Sequence, residues 1–197
     1  MSGRSKGTRA VFLDRDGVLT EVRTRRVCYV NQPEDVHLLP GAAEAVAGLH
    51  EAGYKVFIVT NQGGVGLGHM SLEDLAAVHE RLEALLAESG AYIDEIAACT
   101  HRPRAGCPCR KPQPGMLLEL ASRHGINLAQ SYMVGDMASD IRAGQAAGTM
   151  TVHIASRKGR PAGAPAAELT AGSLLEAAVL IIRRLASGEP AAQTEHS

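Results

Sequence analysis

Four aspartates fall in two short segments of this chain, Phe12-Leu13-Asp14-Arg15-Asp16-Gly17-Val18 and Val134-Gly135-Asp136-Met137-Ala138-Ser139-Asp140, each at the end of an apolar run. Carboxylates gathered in this way repel one another and are costly to hold without a cation. A hard divalent ion such as Mg2+, which prefers oxygen ligands, meets that need. Taken singly, Asp14 and Asp16 also suit loop positions and Asp140 suits a helix cap. Taken together, they exceed what solubility requires. A second group, Cys99, His101, Cys107 and Cys109, lies within eleven residues. Three thiols and an imidazole make a tetrahedral structural zinc set that leaves no coordination position for a substrate. The spacing is too tight for a zinc finger, and a disulfide within the group is the competing reading. Two metals are therefore expected, sorted by softness: zinc on sulfur and nitrogen, magnesium on oxygen.

Two further segments could handle an anion. In Thr60-Asn61-Gln62-Gly63-Gly64-Val65-Gly66-Leu67-Gly68, a hydroxyl and an amide precede glycines whose backbone N–H groups can approach phosphate oxygens, although such loops often only turn the chain. Arg110-Lys111-Pro112 brings positive charge directly after Cys109. Fixing that cysteine would fix the approach of both cations.

These residues need a scaffold that gathers strand ends on one edge. Apolar, β-branched runs predict strands at 10–14, 55–60, 95–100, 131–135 and 149–154, and Val56-Phe57-Ile58-Val59 reads as a strand covered on both faces. Apolar residues at three- and four-residue intervals predict helices at 41–52, 71–89, 114–124, 139–147 and 173–186. The last, with Leu174, Leu175, Ala178 and Leu185 on one face, is expected to close the sheet at an edge. The alternation predicts an α/β protein, a Rossmann-like three-layer sandwich with a central parallel sheet. In such sheets ligands bind beyond the carboxyl ends of the strands, where all four aspartates fall. The short span between the first two strands already contains a helix, so no cap domain fits there and the site should be open.

At 197 residues, 45% hydrophobic and 21% charged, the chain has the size and composition of one folded domain, expected over 10–186 with a zinc loop at 99–109, flexible tails at 1–9 and 187–197, and a surface loop at 156–165. A net charge of -1, 3% aromatic residues and no Trp argue against a nucleic-acid partner. No apolar stretch suits a leader or a membrane span, so a cytoplasmic monomer acting on a small molecule is expected. Cys28 has no partner in the pattern, and the remaining histidines, His37, His50, His69, His79, His124, His153 and His196, read as structural or solvated.

From about Val11 to Ile154 the chain resembles the haloacid dehalogenase superfamily of aspartate-nucleophile phosphohydrolases. Asp14-Arg15-Asp16-Gly17-Val18 resembles its first motif, Thr60-Asn61 its second, Lys111 its third, and Gly135-Asp136 with Asp140 its fourth. Cys99-Thr100-His101-Arg102-Pro103, Cys107-Pro108-Cys109-Arg110-Lys111-Pro112 and Pro114-Gly115-Met116 are most similar to the zinc-loop subgroup of heptose bisphosphate phosphatases, and next to the histidinol-phosphate phosphatases. The resemblance implies a capless fold and hydrolysis of a phosphosugar, at the 7-phosphate of a heptose 1,7-bisphosphate. It implies Asp14 as nucleophile and Asp16 as general acid and base, with magnesium on the Asp14 carboxylate, the Asp16 carbonyl and Asp136. Thr60, the backbone near Asn61, and Lys111 would bind phosphate oxygens, and Asp140 would orient Lys111 or a metal-bound water. Arg110 would grip the sugar or its second phosphate, with Tyr29, Val30 and Asn31 beside the site. Family heptose phosphatases can carry a Lys where this chain has Met137, which keeps histidinol phosphate open as a rival substrate. Two more distant readings are a polynucleotide 3′-phosphatase, suggested by Thr-Asn-Gln-x-Gly, and a phosphosugar-binding protein without turnover.

Overall fold

A computed structural model describes residues 7–155 and 165–187. Six strands, β1 (Ala10–Leu13), β2 (Lys55–Asn61), β3 (Glu95–Cys99), β4 (Tyr132–Gly135), β5 (Met150–Ile154) and β6 (Leu169–Ala171), form one parallel sheet in the order β3-β2-β1-β4-β5-β6. Parallel pairing requires crossovers, and the first four are helical: α1 (Ala42–Glu51) joins β1 to β2, α2 (Gly63–Leu67) and α3 (Leu72–Ala87) join β2 to β3, α4 (Gly115–His124) joins β3 to β4 and α5 (Ala138–Ala147) joins β4 to β5, while α6 (Leu174–Ala186) follows β6. Strand residues alternate between the two faces and build two cores. Val11, Leu13, Val56 and Ile58 pack with Leu49, Val78, Leu82 and Ile181 from α1, α3 and α6. Phe12, Phe57, Val59 and Met133 pack on the opposite face with Leu117, Leu120 and Ala143 from α4 and α5. The sheet is therefore buried on both sides, which explains its nearly unbroken apolar strands. No domain is inserted between β1 and β2, where one 3-10 turn (Pro33–Asp35) precedes α1.

Because β2 lies on one side of β1 and β4 on the other, the connections reverse direction at the β1/β4 seam. The carboxyl ends of those strands open a crevice there. The register sets Leu13 beside Val134, and the Asp14 N–H donates to the Val134 carbonyl at 2.9 Å, so the residues that follow both strands emerge together.

Several expected elements differ from the structure. The glycine-rich segment after β2 coils into the single-turn helix α2, and the short strand β6 adds the sheet's outer edge. Helix α6 lies beside α1 on one face rather than closing an edge, burying Leu174, Ala177, Ala178 and Ile181 and leaving Leu175 exposed. Thr8, expected in a tail, is fastened: its N–H donates to Gly125 O at 3.2 Å and its carbonyl accepts from Asn127 N at 2.8 Å. Of the histidines read as structural or solvated, His153 is buried in β5 and His79 on α3 has a buried ring nitrogen, which places both on the structural side. Most of the expected tails and the 156–165 loop lie outside the described residues. No helix among the described residues is long and apolar enough to cross a membrane.

Candidate active site

Asp14 leaves β1 and Asp136 leaves β4, and the chain turns sharply beyond each. Gly17 adopts φ +90°, and a Cβ there would stand 2.7 Å from Asp136 Oδ2, so only glycine lets the two turns approach. Gly135 is equally confined, since a Cβ would collide with the Asp140 side chain at 2.2 Å. One oxygen from each of Asp14, Asp136 and Asp140 lies within 4.8 Å of the others. Lys111 enters this group from the β3–α4 connection, with Nζ 2.7 Å from Asp14 Oδ1, 2.7 Å from Asp140 Oδ1 and 2.7 Å from the Val59 carbonyl. Asp140 also accepts from the Met137 N–H at 2.9 Å, so it caps α5 and orients Lys111 at once.

Asn61 spends its side chain on the backbone of the same lysine: Nδ2 donates to Lys111 O at 2.9 Å, and Oδ1 accepts from Lys111 N at 3.0 Å. That places the Asn61 amide as a brace under Lys111. Thr60 is buried, and its Oγ1 accepts from Gln62 Nε2 at 2.8 Å. Arg110 is half-buried, donating to the His101 carbonyl at 3.3 Å and resting against Gly63.

Asp16 faces a different set of partners. Arg15, fully buried, donates to it in a two-pronged pair at 2.8 and 2.9 Å, while Thr20 Oγ1 donates at 3.1 Å and Gln62 Nε2 at 3.2 Å. Arg15 also reaches the Val30 carbonyl at 3.4 Å, tying the Tyr29–Asn31 loop to the first strand's turn. Neither Arg15 nor Gln62 was singled out by sequence reasoning. An arginine flanked by two aspartates beside an apolar run was the available signal, because a buried guanidinium must be paired.

Cys99, His101, Cys107 and Cys109 converge at the end of β3 with no disulfide among them. Cys99 Sγ lies 3.7 Å from Cys107 Sγ and 3.2 Å from Cys109 Sγ, and His101 Nδ1 lies 3.6 and 3.2 Å from the Cys99 and Cys109 sulfurs. These separations approximate the edges of a tetrahedron about an ion with Zn–S bonds of about 2.3 Å, and exceed a disulfide's ~2.05 Å. Burial, with Cys99 and Cys107 alongside, pushes the Cys109 thiol up to about 12.

A HAD-hydrolase-like family model matches residues 108–177. The D-glycero-beta-D-manno-heptose-1,7-bisphosphate 7-phosphatase of Pseudomonas putida is 40% identical over 149 residues, covering 76% of this chain and 83% of that protein. The Helicobacter pylori J99 protein of the same name is 41% identical over 137 residues, covering 69% and 76%. The chain belongs to the heptose-1,7-bisphosphate 7-phosphatase family of HAD-like phosphatases. In three dimensions it is similar to the D,D-heptose 1,7-bisphosphate phosphatase of B. bronchiseptica complexed with magnesium and phosphate, with a TM-score of 0.80 and 30% identity over 90% of this chain and 99% of that one. L-2-haloacid dehalogenase from Xanthobacter autotrophicus, 13% identical with a TM-score of 0.60 over 88% of this chain and 98% of that one, shares the fold alone.

The family's magnesium fits the residues present. Asp136 Oδ1 is buried and without a partner among the described residues, a costly condition for a carboxylate oxygen unless a cation meets it. Burial pushes the Asp136 carboxyl up to about 6, with Asp140 adding to the rise and Arg23 and Lys111 opposing it. Burial likewise raises Asp14 to about 7, against the pull of Lys111. Burial disfavours charge on Lys111, but its contacts with Asp14 and Asp140 outweigh that and keep it an ammonium. Three carboxylates and one ammonium leave two negative charges, which one divalent ion neutralises. Asp16 differs: despite its burial, Arg15, Gln62 and Thr20 hold its carboxyl below the usual range.

Proposed function

We propose that this phosphatase removes the 7-phosphate from a D-glycero-D-manno-heptose 1,7-bisphosphate by way of an aspartyl-phosphate on Asp14. The observation that carries the reading is Asp14 facing Lys111 at 2.7 Å beside the open oxygen of Asp136, in a chain 40% identical to a phosphatase of that name. The Asp14 carboxylate attacks phosphorus in line, forming an O–P bond while the bond from phosphorus to the sugar oxygen breaks. Lys111 and the Thr60 hydroxyl bind the phosphoryl oxygens. Because Thr60 Oγ1 already accepts from Gln62, its own proton is left to donate. Asp14, Asp136 and the Asp16 carbonyl would hold magnesium, which when bound neutralises charge between nucleophile and phosphate. Cys99, His101, Cys107 and Cys109 would hold zinc, whose role is to fix the loop that delivers Arg110 and Lys111.

Asp16 carries the proton traffic. The leaving sugar oxygen needs a proton: the incoming phosphate dianion raises the Asp16 pKa, Asp16 takes up a proton from solvent, and it passes that proton to the sugar oxygen as the bond to phosphorus breaks. The Asp16 carboxylate then removes a proton from the water that attacks phosphorus. The Asp14–phosphorus bond breaks, phosphate leaves and Asp14 is restored.

The test is phosphate release in parallel assays of the α and β heptose 1,7-bisphosphates and histidinol phosphate, each with magnesium. A kcat/KM for a heptose bisphosphate at least a hundredfold above that for histidinol phosphate supports the reading. Faster turnover of histidinol phosphate overturns it.

A further inference from the structure

The connection between β1 and α1 carries a cation, Arg23, whose charge eases the Asp136 carboxylate but which no step above uses. Arg23 sits near the start of a small loop over the turn that bears Asp16. Its N–H donates to Cys28 O at 3.3 Å, and the Thr24 N–H donates to Val27 O at 2.9 Å. Val27 is buried beneath, the Glu21 N–H donates to His37 O at 2.9 Å, and Thr20 is bonded to Asp16, so the loop is anchored at its base to the catalytic turn. Arg23 adopts φ 57°, a left-handed conformation disfavoured for residues with a Cβ. That conformation accompanies an inward aim: the guanidinium Nη1 lies 3.5 Å from the sulfur of Met137, the residue next to Asp136. The guanidinium is nonetheless exposed, and no carboxylate lies within 4 Å of it among the described residues.

Three other cations around the crevice are already paired with carboxylates. Lys111 is held by Asp14 and Asp140, Arg15 by Asp16, and Arg26 in the same loop by Glu21. A sugar with one phosphate on Asp14 and Lys111 would present a second phosphate to the rim, where Arg23 stands on the Asp136 side and Arg110 on the α2 side. A guanidinium without a carboxylate partner is suited to a two-pronged grip on phosphate. We infer that Arg23 is a specificity-determining residue that binds the phosphate the enzyme does not remove. The sulfur of Met137 supports the guanidinium from below.

This inference rests on the bisphosphate reading, and the experiment separates the two. Steady-state kinetics are measured on heptose 1,7-bisphosphate and on heptose 7-phosphate, the same sugar without the remote phosphate, for wild type, Arg23→Ala, Arg23→Lys and Arg23→Glu. In wild type, kcat/KM favours the bisphosphate. Arg23→Ala is expected to erode that preference by about tenfold, through KM rather than kcat, as befits one exposed charge-assisted contact. Arg23→Lys should recover much of the loss, and Arg23→Glu should exceed the alanine effect. If Arg23→Ala keeps the wild-type preference, or both substrates lose equally, the assignment is wrong while the bisphosphate reading stands. If wild type shows no preference, the substrate reading fails and the assignment fails with it.

Discussion

Asp14 and Asp136 follow two strands at the centre of the sheet and Asp140 lies in the first turn of α5, whereas Cys99 ends the edge strand β3 and His101, Cys107 and Cys109 come from the short loop after it. Asp14 and Asp140 are buried, held by β1, β4 and the first turn of α5, and neutralised in part by Lys111. His101 is exposed, and between Thr100 and Cys109 the chain forms no strand or helix; it is fastened by the Ala105 to Arg102 turn at 3.1 Å, the Arg102 side chain on Gly66 O, Arg110 on the His101 carbonyl at 3.3 Å and the Gly115 N–H on the Pro108 carbonyl at 3.0 Å. The oxygen cluster is thus held by strand ends and a helix, whereas the sulfur cluster sits on an irregular loop that a bound ion would brace. They meet at residues 109–111, where the loop's last ligand is two residues from the lysine that touches the nucleophile.

The largest effect should come from breaking the oxygen cluster at its reacting atom. Asp14→Asn is expected to lower kcat by about 10⁴-fold or more while circular dichroism and binding of a phosphate analogue such as vanadate persist, because the amide is nearly isosteric but a poor nucleophile. Residual activity within tenfold of wild type would make Asp14 the wrong nucleophile. Lys111→Met comes next. It removes a phosphate ligand and strands two buried carboxylates, so kcat/KM should drop by about 10³-fold and unfolding free energy by about 3–5 kcal/mol, read by phosphate release and urea denaturation. Magnesium should return more of that stability to the variant than it adds to wild type.

Removing the ions tests the comparison itself. Stripping magnesium should abolish turnover with a smaller fall in melting temperature than stripping zinc. Stripping zinc, or making Cys109→Ser, should lower the melting temperature and reduce kcat/KM about tenfold through loss of Lys111 positioning, restored by zinc but not by magnesium. Equal thermal responses to both metals would erase the distinction drawn between the clusters.

The contrast also explains how much could be read from the chain beforehand. The three thiols and the imidazole lie within eleven residues, so spacing alone was enough to group them, and the structure brings them together. The aspartates are far apart in sequence, yet strand-end placement brought them together, because a parallel sheet puts the carboxyl ends of β1 and β4 on one edge. Arg15 and Gln62 were not legible: their roles depend on which way each side chain turns once the chain has left the strand, and no periodicity encodes that. The backbone near Asn61 read as a phosphate contact, whereas the match of its side-chain amide to the backbone of Lys111, fifty residues away, depends on the folded chain and was not legible. The three-residue strand β6 is too short to carry a pattern, and glycines disguised α2 because they are poor helix formers.

The smallest expected effect lies outside both clusters. His79 on α3 is held neutral, its pKa lowered to about 4 by burial and by Arg15, against 6.5 for an ordinary histidine. Between those values the unfolded chain takes up a proton that the folded chain refuses. This histidine's contribution is present above pH 6.5 and is lost as pH falls toward 4, on the order of 2 kcal/mol. Urea midpoints across this range should fall less steeply for His79→Leu than for wild type. An identical slope would mean that His79 does not titrate this way.

The central claim is that phosphate passes through a covalent bond to one side chain, and it can be examined at that atom. Borohydride added during steady-state turnover reduces an acyl phosphate to an alcohol, so peptide mass spectrometry should find homoserine at position 14 and aspartate at positions 16, 136 and 140. Unmodified Asp14 in protein trapped while product is forming, or reduction at another carboxylate, would contradict the account.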